Sequence, residues 1–110
     1  MNRFLFTVPA PVEQLCKERH QKFTVLLQHH SMQLEYFDPQ ITDTQTPHRK
    51  DEIYVIASGH SDFYRDGQTV LCKQRDLLFV PAGIEHRFQN FSPDFGTCVI
   101  FYGLNGGGQP

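Results

Sequence analysis

From Lys22 to Tyr102 the chain is built from short apolar runs in which hydrophobic and polar positions alternate, each cut off by turn residues. Phe23 to Phe37 holds two strand-like runs separated near Gln28 to Ser31. Asp38-Pro39 stops the second, since proline supplies no ladder donor. Glu52-Ile53-Tyr54-Val55-Ile56-Ala57 is a third run, stopped by Ser58-Gly59. Asp62 to Cys72 predicts a hairpin centred on Asp66-Gly67, a dipeptide that tolerates the two positive-φ positions of a tight turn. Leu77 to Val80 ends at Pro81-Ala82-Gly83, a run from His86 to Asn90 follows, and Ser92-Pro93-Asp94 turns into a last strand, Thr97 to Tyr102. Turn signals spaced roughly eight to twelve residues apart predict an antiparallel sandwich or barrel.

A helical pattern occurs only earlier. Pro11 suits a first helical position, and Val12, Leu15, Cys16 and Arg19 recur at helical spacing between 11 and 22. Glu13 near the start, with Lys17, Arg19, His20 and Lys22 toward the end, complements the helix dipole. The expected organisation is an N-terminal segment over residues 1–23, with a short helix packed on a barrel over 24–103. A polar loop over 40–47 lies within the barrel, and a disordered tail over 104–110 follows it.

Composition narrows the function classes. With 110 residues, 39% of them apolar and ten Phe, the chain supports one core. A net charge of −2, with no basic block longer than two residues, argues against nucleic acid and against an electrostatic membrane anchor. Leu77 to Val80 is typical of the apolar runs, far too short to span a bilayer. The N-terminus carries one positive charge and a brief apolar stretch before Pro9, which makes a poor signal peptide. Cys16, Cys72 and Cys98 are odd in number and widely spaced, and fit neither a disulfide framework nor a zinc ribbon. They read as buried small hydrophobes of a cytoplasmic protein.

The candidate chemistry lies in two stretches, His48-Arg49-Lys50-Asp51-Glu52 and Pro81 to Asn90. Strand phasing puts Glu52, Tyr54 and Ile56 on one face and Asp51, Ile53 and Val55 on the other. A carboxylate at the head of an apolar face is costly unless it meets a cation or a donor. His86, Phe88 and Asn90 alternate on one face in the second stretch. The two stretches therefore offer two imidazoles, His48 and His86, and one carboxylate, Glu52: a set that suits a Lewis-acidic or redox-active metal with open positions. Tyr54 and Phe88 would form an apolar wall beside it. Within His29-His30 only one ring can face inward, and an inward His29 would line the pocket. His20 and His60 read as solvent-facing. Arg49, Lys50 and Arg87 border the ligands, where cations would hold an anionic substrate.

These stretches resemble the two motifs of the small single-domain cupins. The first family motif is His-x-His, three or four residues, Glu, six residues and Gly. Glu52 and Gly59 keep its spacing, and His48 takes the second histidine position. The second is Gly-x-x-x-x-x-Pro-x-Gly-x-x-His-x-x-x-Asn, matched by Pro81, Gly83, His86 and Asn90. The resemblance spans residues 24–103. It implies an all-β jelly-roll barrel, or double-stranded β-helix, holding a divalent metal such as iron, manganese, nickel or zinc.

Two positions depart from the pattern. Arg75 stands where the second motif opens with glycine, and is expected to alter only a turn, with Asp76 supplying the special backbone geometry. Thr46 stands at the first histidine position and leaves three ligands, His48, Glu52 and His86, a facial 2-His-1-carboxylate set that Gln45 or a water would complete. Thr46, Gln45, Tyr54, Phe88, Asn90 and His29 are the candidate pocket residues. The expected function is a metal-dependent small-molecule enzyme, dioxygenase- or isomerase-like. The alternatives are a non-catalytic module that binds a metabolite or sugar or acts as a sensor, and a purely structural barrel with an empty site. No nucleic-acid or membrane partner is expected. A homodimer is, because so small a barrel exposes sheet edges.

Overall fold

The computed structural model describes residues 4–8, 22–39 and 49–104. The helix expected between 11 and 22 lies outside the described residues, apart from Lys22, which opens a strand; so do the loop over 40–47 and the tail from 105. Among the described residues eight strands follow in order: β1 (Lys22–His29), β2 (Met32–Asp38), β3 (Asp51–Ser58), β4 (His60–Arg65), β5 (Gln68–Lys73), β6 (Leu77–Val80), β7 (His86–Gln89) and β8 (Gly96–Tyr102). They form a five-stranded sheet, ordered β1-β2-β8-β3-β6, and a three-stranded sheet, ordered β5-β4-β7. Every pairing is antiparallel. The fold is an all-β jelly-roll.

Period-two alternation decides what points inward. Glu52, Tyr54 and Ile56 of β3 are buried, as the strand phasing predicts. Across the β3–β8 ladder they stand opposite Phe101, Val99 and Thr97, also buried. The small sheet contributes Phe63 and Phe88, directly opposed in the β4–β7 ladder. Phe88 is the hub between the sheets: its ring lies 5.0 Å from Tyr54 at 87°, 4.9 Å from Phe63 and 4.8 Å from Phe95. Edge-to-face and tilted contacts suit the ring quadrupoles and add to the gain from burial, on the order of 2–3 kcal/mol per ring.

The turns follow their residues. Asp66 and Gly67 take φ of 47° and 88°, the two left-handed positions that set the β4–β5 hairpin. Pro81-Ala82-Gly83-Ile84 closes with Ile84 N donating to Pro81 O (3.3 Å) and Gly83 at φ 80°. The turn after β5 corrects one expectation: Arg75 itself, not Asp76, takes the left-handed conformation, at φ 82°. Arg75 N donates to Ile56 O (2.9 Å), and Ile56 N to Asp76 O (2.9 Å), so the turn is pinned to β3 from both sides. Asp76 acts instead through its side chain, accepting from Lys73 N at 2.8 Å. Arginine pays for this backbone with steric strain that glycine avoids. Arg75→Gly is therefore expected to stabilise the fold by about 1 kcal/mol, and to raise Tm by about 4 °C in a thermal melt. An unchanged or lower Tm would count against strain at this turn.

Candidate functional site

The structure brings together two of the three expected ligands. Glu52 heads the inner face of β3, and His86 opens β7 on the opposite sheet. Both side chains are buried, and His86 Nε2 lies 3.7 Å from Glu52 Oε1. His48, with Thr46 and Gln45, lies outside the described residues. Among the described residues, no third His, Cys, Asp or Glu completes a cluster with the pair.

The orientation of His86 follows from the preceding turn. Gly83 swings the chain so that Ile84 O accepts a hydrogen bond from His86 Nδ1 at 2.8 Å. A carbonyl can only accept, so Nδ1 carries the proton and neutral His86 presents the lone pair of Nε2 to the barrel. That is the ligating tautomer, held as backbone carbonyls hold metal-bound histidines. Asp51, on the outer face beside Glu52, steadies the same turn by accepting from Ala82 N at 2.8 Å. The two sequence stretches are thus tied together by this hydrogen bond as well as by the approach of His86 to Glu52.

The Tyr54 hydroxyl sits 3.1 Å from His86 Nε2. With Nδ1 protonated, the phenol is the donor. The Phe63 and Phe88 rings flank the imidazole and phenol and exclude water. Tyr54 and Phe88 are therefore both core and site wall.

The donor set fits a divalent ion. Metal–nitrogen and metal–oxygen bonds of about 2.0–2.2 Å separate two ligands of one ion by about 3–4 Å, the range of the Glu52–His86 pair. The fit requires the Tyr54 hydroxyl to yield the Nε2 lone pair.

Other candidates lie elsewhere. His29 is exposed and meets His30 edge to face, at a ring separation of 4.2 Å. Asn90 leaves the strand at φ 53° and donates to Asp62 Oδ2 (3.0 Å) in an exposed position, so it does not continue the inward face of His86 and Phe88. Arg87 lies over the Tyr64 ring at 4.4 Å and pairs with Glu85, away from the barrel interior. His60 is exposed, as expected.

Cys72 is buried and Cys98 half-buried, both as free thiols. Burial pushes the Cys72 thiol up to about 11, and the charge of Asp76 adds to the shift. A raised pKa keeps the sulfur protonated and poorly nucleophilic near neutral pH. Iodoacetamide at pH 8 is expected to spare Cys72 in the native protein and to modify it once the chain is unfolded, as read by peptide mass spectrometry. Rapid native labelling would contradict this.

A second group of residues went unread in the sequence. Gln33 and Glu35 share the inward face of β2 with Phe37, and a Gln33 Nε2 to Glu35 Oε2 hydrogen bond links them. Burial raises the Glu35 pKa, and the Gln33 bond partly offsets it. With Phe23, Arg49, Lys50 and Phe101 they line a cavity of about 440 Å³. The signal was there: two polar residues in phase with a core phenylalanine.

Comparison with known proteins agrees with this architecture. Residues 33–101 match the cupin domain family. An uncharacterized protein of Streptomyces coelicolor is 34% identical over 71 residues, covering 64% of this chain and 68% of its own. A cupin superfamily protein of Desulfitobacterium hafniense superposes with a TM-score of 0.64 at 21% identity, over 91% of this chain and 98% of that one. A predicted oxalate decarboxylase from Thermotoga maritima superposes with a TM-score of 0.66 at 20% identity, over 76% and 81% of the two chains. With the match spanning more than half its length, and with the jelly-roll and both motif turns in place, this chain belongs to the cupin family.

Proposed function

We propose that the barrel interior is a metal-dependent small-molecule site, in which His48, Glu52 and His86 hold one divalent ion. The observation that carries this reading is the fixed tautomer of His86, whose Nε2 lone pair points into a water-poor interior 3.7 Å from a buried carboxylate. A bound iron would supply oxygen activation, and zinc, nickel or manganese would supply polarisation of a carbonyl or enolate.

The chain's own residues do the rest. Ile84 O holds the imidazole in its ligating tautomer, and Glu52 brings the negative charge that favours a cation. Phe63 and Phe88 keep water away, which strengthens every charge interaction inside. The Tyr54 hydroxyl, 3.1 Å from Nε2, would be free to donate to an oxygen of a bound molecule once a metal took the lone pair. The activity this supports is dioxygenase- or isomerase-like.

A second reading is favoured by that same hydroxyl. With Tyr54 donating to Nε2 and Ile84 O accepting from Nδ1, both nitrogens of His86 are hydrogen-bonded within the chain, and the barrel serves as a metabolite-binding module without turnover. Metal analysis of natively purified protein separates the two, followed by oxygen uptake against diketones, polyphenols and thiols. About one divalent ion per chain with turnover supports the first reading, and a metal-free protein supports the second.

A further inference from the structure

The cavity lined by Phe23, Gln33, Glu35, Arg49, Lys50 and Phe101 has a chemistry that the metal ligands do not account for. Its volume of about 440 Å³ lies in the range of small-molecule sites. It also adjoins the candidate centre. Phe101 stands opposite Gln33 in the β2–β8 ladder and opposite Glu52 in the β3–β8 ladder, so the three residues form one row across adjacent strands. Strands lie about 4.8 Å apart, so the Gln33 and Glu52 positions are two strand spacings apart, roughly 10 Å, with Phe101 between them.

The charges say what kind of molecule. Arg49 takes no part in the His86–Glu52 and Arg87–Glu85 ion pairs. Lys50 Nζ donates to Ser31 O at 2.8 Å, which uses part of its capacity. The Arg49 guanidinium offers a planar fork matched to a carboxylate, and the Lys50 ammonium, bonded to a neutral carbonyl, keeps its charge on the same lining. Glu35 adds one negative charge on the same lining, which opposes a second anionic group on the ligand. Phe23 and Phe101 offer two phenyl rings for a hydrocarbon body.

We propose that this cavity binds small monocarboxylates with an apolar, ring-sized body. Arg49 takes the carboxylate, Phe23 and Phe101 take the body, and Glu35 excludes dicarboxylates. The inference rests on the reading of the barrel interior as a small-molecule site, but it does not require the metal.

Isothermal titration calorimetry with benzoate, benzamide and phthalate tests it, using the full chain before and after chelation, with metal content measured on the same samples. Benzoate is expected to bind at least about tenfold more tightly than neutral benzamide and than dianionic phthalate. Arg49→Gln is expected to remove that preference over benzamide, and Arg49→Lys to restore part of it. Glu35→Gln is expected to admit phthalate and to tighten benzoate, an effect that damage to the fold would not produce. Benzoate binding in metal-free protein upholds the cavity even if the metal proposal fails. Absent benzoate binding, equal affinity for benzoate and benzamide, or an Arg49→Gln variant that still prefers benzoate would overturn the inference.

Discussion

His86→Ala is expected to reduce bound metal from about one ion per chain to a small fraction of that, measured by plasma mass spectrometry on protein that circular dichroism shows to be folded. Weakening an outer partner of a metal ligand typically costs about 10–100-fold in affinity, so removal of the ligand itself should cost more. The geometry gives the reason. His86 Nε2 aims its lone pair into the barrel beside Glu52, and its tautomer is set by Ile84 O. The imidazole is therefore already oriented, and no further His, Cys, Asp or Glu among the described residues forms a cluster with Glu52 and His86. Tyr54→Phe provides the contrast. It removes the hydroxyl that sits 3.1 Å from Nε2, so metal content should hold or rise. Unchanged metal in His86→Ala would sink the assignment. Loss of metal in Tyr54→Phe would make the phenol a ligand rather than a competitor.

Gly59→Ala is expected to destabilise the protein by about 3 kcal/mol, lowering Tm by roughly 10–20 °C. Two costs combine. Gly59 sits at φ 72°, where a side chain costs about 1–2 kcal/mol. An added Cβ would also meet Ser92 Oγ at 2.4 Å, Asp94 Oδ1 at 2.8 Å and Phe95 Cα at 2.8 Å. The last of these is backbone beside a fully buried ring and cannot swing aside. The loop it belongs to is pinned to the start of β4, with His60 N donating to Ser92 Oγ and Ser92 N to His60 O. Gly83→Ala is the control. Gly83 has a similar φ of 80° but open space around its Cβ position, so only the backbone cost of about 1 kcal/mol applies. Equal losses of Tm in the two variants would refute the close-approach explanation for Gly59.

The two motif glycines thus do different work, a distinction that the motif itself does not contain. Gly83 serves a turn that aims His86, and Gly59 lets the β8 approach pass close to the β3–β4 corner. Arg75 makes a related point. A residue with no special backbone preference occupies a left-handed turn, because paired hydrogen bonds to Ile56 over-determine its conformation. Local propensity pointed to Asp76 and was overruled by contacts from β3.

The sequence by itself determined the strands, the hairpin at Asp66-Gly67 and the inward faces of β3 and β7. Alternation with period two is a local property, and a buried face leaves no freedom to slip by one residue. It also determined that Glu52 and His86 belong to one candidate centre, through spacings that resemble the cupin motifs. Only the tertiary structure decided the tautomer of His86, the position of Tyr54 on its lone pair and the row that joins Gln33, Phe101 and Glu52. Each of these depends on which strands become neighbours. Residues as far apart in the chain as Gln33 and Glu52 join one row across the sheet only after β8 has been inserted between β2 and β3. No local pattern records that insertion, because the order of strands in a sheet is a long-range choice made by the packing of the whole core.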